Sequence, residues 1–573
     1  MDENFLGKIA DKSSEENYSS MPEGYVKGRT KYVIITGSVI SGIGKGIFSS
    51  ALGKALQDRG LKVSPLKIEA YLNIDSGTLS PYRHGEVFVL DDGTETDMDL
   101  GSYERFLDQN LSKDNFTTHG QIYKRIIDKE RKGEYHGRDV QYIPHVTGET
   151  KLVLRNLAIK TKADIVLVEI GGTVGDYENL FAMESVRELI YEEGKENACL
   201  VNITYILEPH HLGEFKSKAA QLGLRQLMSL GLQPDIIVCR SEKRVTENVK
   251  EKISMNANVP IERVFNTYDV GNIYELPLFY REQGIDEAIL KVLKLDAKFK
   301  VNGSKSLKEW TKKNTLEPDK EITIGIAGKY TGTSDTYISI TKALEHCGVQ
   351  LKAKINIKWI ETTAIERGKT KVEDEIKGVD GVIIPGGFGT RGVEGKIMVA
   401  KYLRENKIPF LGICYGFQMA VIEFARNVCG IKNANTEEVK KDPENNVICI
   451  LPEQEEVEGL GGTLRLGGFD VKIKKGTLAY ELYGKKEMVR ERFRHRFNVN
   501  TKFIDVLEKH GLVFSGMAPQ KRIMQILELP EHPFYVGTQY HAEFTSRPLK
   551  PNPIYFGFVK AALKKKTQDK KDN

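Results

Sequence analysis

A cysteine set between two glycines, Gly412-Ile413-Cys414-Tyr415-Gly416, and a histidine two residues before a glutamate, His541-Ala542-Glu543, are the residue types from which an acyl-transfer site is built. A thiolate attacks, an imidazole relays the proton and a carboxylate holds the imidazole. The apolar run Pro409-Phe410-Leu411 precedes Cys414 and helical spacing follows from Met419 to Arg426. The G-x-C-x-G stretch therefore reads as a strand feeding a sharp elbow, whose small flanking residues let the nucleophile take a strained, exposed position. A helix N-terminus beneath Cys414 favours the thiolate. An isolated cysteine is more often an inert core residue, and the elbow is what separates Cys414 from the other five, at 199, 239, 347, 429 and 449. Those are far apart with no C-x-x-C pair, which reads as reduced thiols rather than disulfides or a zinc site. A strand over Phe534–Phe544 would put His541 and Glu543 on one face. Upstream, the strand Gly381-Val382-Ile383-Ile384 meets Pro385-Gly386-Gly387-Phe388-Gly389, a turn that exposes backbone N–H groups as an oxyanion hole requires.

A second kind of chemistry is written near the start. Tyr32-Val33-Ile34-Ile35-Thr36-Gly37 has the β-branched character of a buried parallel strand and runs into Ser38-Val39-Ile40-Ser41-Gly42-Ile43-Gly44-Lys45-Gly46, with helical spacing from Ile47 to Gln57. Strand, glycine-rich turn and helix N-terminus make a phosphate cradle, with Lys45 adding a point charge at the terminal phosphates. Val39 stands where the standard pattern has its first glycine and Gly46 where it has Ser or Thr, so a merely tight strand-to-helix turn is the competing reading. Lys67, at the end of a strand over Leu61–Ile68, can point at the same nucleotide, although a surface lysine is commoner. Asp99, in a carboxylate-rich stretch, and Glu169, ending Asp164-Ile165-Val166-Leu167-Val168-Glu169, are a candidate Mg²⁺ pair, because ligands of open α/β sheets sit at strand carboxyl ends. Alone, each acid would read as a cap or a surface charge.

These elements predict an α/β chain of two domains, each a mostly parallel sheet with helices on both faces. At 573 residues one core does not suffice. We expect a polar extension over 1–30, a first domain over 31–297, a polar, lysine-rich linker over 298–320, a second domain over 321–563 and a basic tail over 564–573. The composition, 40% hydrophobic and 28% charged, fits a globular chain, and the formal net charge of +5 is small and partly carried by the tail lysines. No basic, aromatic stretch suggests nucleic-acid binding, and no apolar run is long enough for a membrane span or a signal peptide, so a cytoplasmic protein is expected.

Four stretches in order, SGIGKG (41–46), HGEVFVLDDG (84–93), DLGSYERFL (99–107) and EIGGTVGDYE (169–178), closely resemble the amidoligase domain of CTP synthases, with the likeness running from Lys31 to about Leu295. The order Cys, His, x, Glu with PGGFG upstream resembles class I glutamine amidotransferases from Glu321 to about Leu563, the domain fused after the amidoligase in that family. The resemblance implies that Gly42, Ile43, Gly44, Lys45, Gly46 and Ile47 with Lys67 hold ATP, and that Asp99 and Glu169 hold Mg²⁺. It implies UTP binding by Ser41, by Lys216, Ser217, Lys218, Ala219, Ala220 and Gln221, and by Lys252, with feedback-inhibiting CTP contacting Asp176, Tyr177 and Glu178. In the second domain it implies attack by Cys414 on the glutamine amide, proton relay by His541 and support by Glu543. Gly387 and the N–H of Tyr415 would stabilise the oxyanion, and glutamine would be bound by Gly387, Tyr415, Gly416, Phe417, Gln418, Glu438 and Arg496. The loop over residues 461–467 would respond to GTP, and a homotetramer able to stack into filaments is implied.

The chain departs from the family at Ala219-Ala220 for Pro-Thr, Glu69-Ala70 for Asp-Pro, Tyr415 for leucine and Ala542 for proline. The activity implied is ATP-dependent amination of UTP to CTP through a 4-phosphorylated UTP, with ammonia passed from the glutaminase. Two alternatives stand beside it: another P-loop amidoligase with a different acceptor, and a nucleotide-binding, polymerising homologue without turnover.

Overall fold

The computed structural model describes residues 19–209, 213–299, 304–315, 317–329, 332, 334–442, 444–451, 454 and 462–572. Residues 1–18 of the polar extension, 300–303 and 316 of the linker, Tyr330 and Gly461 lie outside them. The chain divides into two compact units, one of residues 1–75 and 102–312, the other of residues 76–101 and 313–573.

The first unit is built on a seven-stranded sheet in which every pairing is parallel, in the spatial order Phe116–Thr118, Val63–Glu69, Ile165–Ile170, Lys31–Ser38, Ala198–Tyr205, Ile236–Ser241, Val264–Tyr268. Its strands are buried along nearly their whole length, as expected of a parallel sheet covered on both faces. The centre of the order is where the chain reverses direction of winding, between Lys31–Ser38 and its neighbours, and that switch point carries the glycine-rich turn. The helix behind it runs Lys45–Asp58, two residues earlier than the apolar spacing suggested.

The second unit has a nine-stranded sheet in the order Ala353–Glu361, Lys320–Gly328, Gly381–Ile384, Phe410–Ile413, Tyr535–Thr538, Met524–Glu528, Val513–Met517, Arg465–Ile473, Met488–His495. The first five strands pair in parallel and hold the cysteine elbow; the remaining pairings are antiparallel. The segment 76–101, read from sequence within the first domain, packs into this unit. Its short hairpin pairs Phe88–Val89 with Glu95–Thr96, and the strand Met488–His495 grips it: Arg492 Nη1 donates to Val89 O at 3.1 Å and Arg494 Nε to Glu95 Oε1 at 2.7 Å.

Inside the polar linker a helix forms over Lys305–Asn314. Its two large apolar side chains explain it. Leu307 is fully buried, and Trp310, one turn on, packs edge-on against Tyr274 at 5.9 Å.

Candidate active site

The strand Phe410–Ile413 passes directly into the helix Tyr415–Asn427, and Cys414 takes the corner with φ 49° and ψ −98°. A left-handed backbone at a non-glycine residue costs roughly 1–3 kcal/mol. The corner holds it: the Cys414 N–H donates to Thr538 O at 2.7 Å, and its carbonyl accepts from Gln418 N at 3.2 Å. The flanking glycines are required by approach. A Cβ on Gly412 would lie 2.8 Å from the Gly416 carbonyl carbon, and one on Gly416 only 2.0 Å from Ile384 O. The thiol is thus forced to the strand end, where Sγ points at Arg494 O at 3.4 Å and receives Gln539 Nε2 at 3.6 Å.

His541 is not on a strand. The strand Tyr535–Thr538 stops three residues earlier, and His541 caps the 3-10 turn Ala542–Thr545. That turn folds Glu543 back so that His541 Nδ1 and Glu543 Oε1 lie 2.7 Å apart, while the Phe544 ring stacks on the imidazole at 4.9 Å and 8°. Residue alternation is therefore replaced by a tight turn as the device that joins the pair. Burial works against a charged ring, but the Glu543 carboxylate and Cys414 outweigh it and lift the His541 pKa to about 10. Among the described residues Nε2 makes no hydrogen bond of good geometry, and Cys414 is the reactive group beside it. Gly386 separates base and nucleophile: a Cβ there would meet His541 Cε1 at 2.8 Å and Cys414 Cβ at 3.6 Å.

A cavity of about 360 Å³ opens on Cys414 and is lined by Gly387, Tyr415, Gln418, Glu438 and Arg496 among others. That volume suits a small polar metabolite. Gln418 Nε2 donates to Phe497 O at 3.1 Å and Gln539 Oε1 at 3.2 Å, and among the described residues its Oε1 has no partner. Burial raises the Glu438 carboxyl pKa, against the lowering effects of the Gly389 N–H, Lys329 and Lys396. Arg496 Nη2 donates to Thr463 Oγ1 at 2.8 Å, tying the 462–467 stretch to the cavity that Leu464 also lines. Gly416 and Phe417 are buried in the first turn of the helix and do not line it. A second cavity, about 90 Å³, lies on the side of Cys414 that holds His541 and Glu543, bounded by Pro81, Val87 and Tyr337. Sequence reasoning missed Arg494 and Gln539 at the sulfur. No local pattern marks either, although Arg494 neighbours the Arg496 that was singled out.

In the first unit the glycine-rich turn has the backbone of a phosphate cradle. Gly42 and Gly44 have φ of 69° and 90°, and Val39 is also left-handed, at 81°. Val39 therefore adopts the conformation for which the standard pattern uses glycine. Lys45 Nζ donates to Gly172 O at 2.6 Å, crossing the mouth of the turn, and Gly37 leaves the room its stem needs, since a Cβ there would sit 3.1 Å from Lys45 Cδ. Gly46 and Ile47 continue the helix. At the adjacent strand ends Lys67 Nζ lies 2.7 Å from Glu169 Oε1 and 3.3 Å from Glu69 Oε1, while Tyr103 donates to Glu169 Oε2 at 2.8 Å. Tyr103 was not anticipated. Asp99 sits in the first turn of the helix Met98–Leu107 and counts with the second unit, Glu169 with the first. Among the described residues no group of three or more His, Cys, Asp or Glu side chains gathers around a metal position.

The pyrimidine-nucleotide candidates are mostly exposed. Ser217 caps the helix Lys218–Ser229, where Ala219 and Gln221 are half-buried and Ala220 fully so; Lys216 pairs with Glu214. Lys252 is exposed on the helix Glu247–Ala257, which Asn256 joins to Gln221 Oε1 at 3.4 Å. Ser41 is exposed at the glycine-rich turn. Asp176 Oδ2 accepts from Thr173 N at 2.8 Å, and Tyr177 and Glu178 border an aromatic cavity of about 590 Å³ with His119, Tyr123 and Phe181. Glu69 turns its carboxylate to Lys67.

Comparison with known proteins finds two family models in succession, the first of them continuous through the 76–101 segment that packs into the second unit. The family model described as CTP synthase N-terminus matches residues 31–295, and that for glutamine amidotransferase class-I matches residues 333–561. The chain is 49% identical to the CTP synthase of Pyrococcus abyssi over 544 residues, 94% of this chain and 99% of that one. To the CTP synthase of Methanopyrus kandleri it is 47% identical over 534 residues, 93% and 99% of the two chains. A solved glutaminase domain of Trypanosoma brucei CTPS with bound acivicin is 35% identical, covering 42% of this chain and 94% of that one, with a TM-score of 0.39.

Proposed function

Because the chain belongs to the CTP synthase family, we propose that its two sites run one amination in two halves. The protein is a carbon–nitrogen ligase that converts UTP to CTP using ATP and the amide nitrogen of glutamine, with GTP as a regulator. The observation that carries the glutaminase half is the Cys414 elbow beside a histidine whose Nδ1 is held by Glu543. Cys414 attacks the amide carbon of glutamine, forming a carbon–sulfur bond and a tetrahedral oxyanion facing the N–H groups of Gly387 and Tyr415. Charged His541 gives its Nε2 proton to the departing ammonia, and water then hydrolyses the thioester. Gln418, Glu438 and Arg496 hold the amino-acid end of the substrate in the larger cavity. Enclosed transfer of ammonia between the two reactions matters because free ammonia is mostly protonated at neutral pH.

In the other half, Gly42–Ile47 cradle the ATP phosphates and Lys45 and Lys67 stabilise the charge of the phosphoryl group moving to uracil O4. Ammonia attacks C4 of the phosphorylated UTP and phosphate leaves. Mg²⁺ is inferred from the family resemblance: a carboxylate such as Asp99 or Glu169 is the kind of hard oxygen donor that Mg²⁺ takes, and the ion if bound would neutralise phosphate charge. Ser41, residues 216–221 and Lys252 take UTP, and Asp176–Glu178 take inhibitory CTP. A cytoplasmic homotetramer, able to stack into filaments, completes the reading. No helix among the described residues is long and apolar enough to cross a membrane.

The test is CTP formation from UTP, ATP and Mg²⁺ with glutamine or ammonium chloride as donor, in the wild type and in Lys45→Ala. Wild type should use both donors. Lys45→Ala should make no CTP from either donor yet still hydrolyse glutamine. CTP synthesis at the wild-type rate in that variant would remove Lys45 from the mechanism. Glutamine hydrolysis without CTP from either donor in the wild type would favour a different acceptor.

A further inference from the structure

The loop that presents the second oxyanion donor is tied down by side chains, and one of them belongs to the residue that supplies the first donor. Tyr415 Oη donates to Gly389 O at 2.7 Å, and its ring comes within 3.9 Å of where a Gly387 Cβ would stand. Lys396, on the helix Val393–Glu405, is 1% exposed; its Nζ donates to Pro385 O at 3.3 Å and lies 5.0 Å from the centre of the Tyr415 ring. Glu438 Oε1 accepts from Gly389 N at 2.6 Å, and Lys329 Nζ donates to Phe388 O. Residues 385–389 are therefore fastened at both ends, with Tyr415 and Lys396 stacked on each other beneath the middle.

We propose that the Tyr415 side chain, seated on Lys396, is a positioning group for the glutaminase: it locks the Pro385–Gly389 loop so that the Gly387 N–H is already aimed at the oxyanion when Cys414 attacks. The inference rests on the glutaminase reading above. A leucine, the usual family residue at this place, has no hydroxyl with which to hold Gly389 O. The Tyr415 side chain reaches into the loop, with its hydroxyl on Gly389 O and its ring beside Gly387. A donor that is preorganised acts on the transition state rather than on bound glutamine. The signature is thus a fall in kcat with little change in KM.

The test compares wild type, Tyr415→Phe and Tyr415→Leu for glutamine hydrolysis and for ammonium-dependent CTP formation. A neutral hydrogen bond is worth about 0.5–1.5 kcal/mol, so Tyr415→Phe should lower the glutaminase kcat about 2- to 13-fold at unchanged KM. Tyr415→Leu, which also strips the ring from Lys396, should lower it at least as far. Ammonium-dependent CTP formation should stay at the wild-type level in both, which also shows that the chain is folded. A kcat within twofold of wild type in Tyr415→Phe overturns the proposal. A rise in KM at constant kcat, or a parallel fall in ammonium-dependent synthesis, overturns it as well, since either marks a binding or a structural role. Absence of glutamine hydrolysis in the wild type would remove the parent reading and this one with it.

Discussion

Replacing Gly386 by alanine should separate the two halves of the reaction. The new Cβ would stand 2.8 Å from His541 Cε1 and 3.6 Å from Cys414 Cβ, wedged between base and nucleophile. Non-bonded carbons settle at about 3.5 Å or beyond, so the imidazole must retreat by about 0.7 Å. It has no soft direction in which to go. Nδ1 is fixed at 2.7 Å from Glu543, and one face is stacked on Phe544, which itself meets Phe88 edge-on at 5.0 Å. A displacement approaching 1 Å in a reacting group costs up to about 10²-fold in rate, or about 2.7 kcal/mol of barrier. We expect the glutaminase kcat of Gly386→Ala to fall about 30- to 100-fold, with CTP formation from ammonium chloride unaffected. Ammonia release from glutamine and CTP formation, measured on the same preparation, decide it. Glutamine hydrolysis within about threefold of wild type would refute the geometry. An equal loss with ammonium would show that the alanine disturbs more than the wedge.

Other substitutions address charge buried in each unit. Lys67→Met leaves the fully buried Glu169 carboxylate without its 2.7 Å partner; removing one member of such a pair costs about 3–5 kcal/mol, and the added change Glu169→Gln should restore most of the loss in denaturation midpoint. An unchanged midpoint in Lys67→Met would argue that the pair is relaxed by solvent. Burial, with Lys329 nearby, lowers the Lys396 pKa to about 7, whereas an unfolded lysine titrates near 10.4. Between these values the unfolded chain binds more protons, so the Lys396 contribution makes wild-type stability rise with pH across that window. Lys396→Met should therefore be more stable than wild type at pH 6–7, with the difference shrinking towards pH 10. A pH-independent difference in denaturation midpoint would contradict a buried ammonium.

What the sequence disclosed and what it hid divide along a physical line. The cysteine elbow was legible because its demands are local: Gly412 and Gly416 are needed where backbones touch, and only small residues satisfy that. The glycine-rich strand-to-helix turn was legible for the same reason, even though Val39 bears at φ 81° a conformation normally given to glycine. The His541–Glu543 pair was found but placed on a strand, because a spacing of two fits both a strand face and a short turn that folds back, and nothing local chooses between them. Lys396 was hidden within a helix, since a lysine there normally faces water and its burial depends on Tyr415 and Pro385, each distant in sequence. The Lys305–Asn314 helix was hidden in a polar stretch; within the helix its apolar anchors are Leu307 and Trp310.

The hairpin at residues 88–96 bears on how such an enzyme can be recombined. Asp91 takes Arg490 through both its oxygens at 3.0–3.1 Å, Glu95 takes Arg494, and the Asp91 carbonyl accepts from Gly468 N at 2.8 Å. A chimaera joined at the linker would set a foreign Arg490, Arg494 and Phe544 against a resident Asp91, Glu95 and Phe88, and would mismatch the packing beside His541. The exchangeable glutaminase is thus not one continuous block of the gene but two: the C-terminal stretch and a short piece lodged inside the code for the other unit. A change at Asp91 or Glu95 is met by Arg490 or Arg494, so the short piece and the C-terminal stretch must be exchanged together.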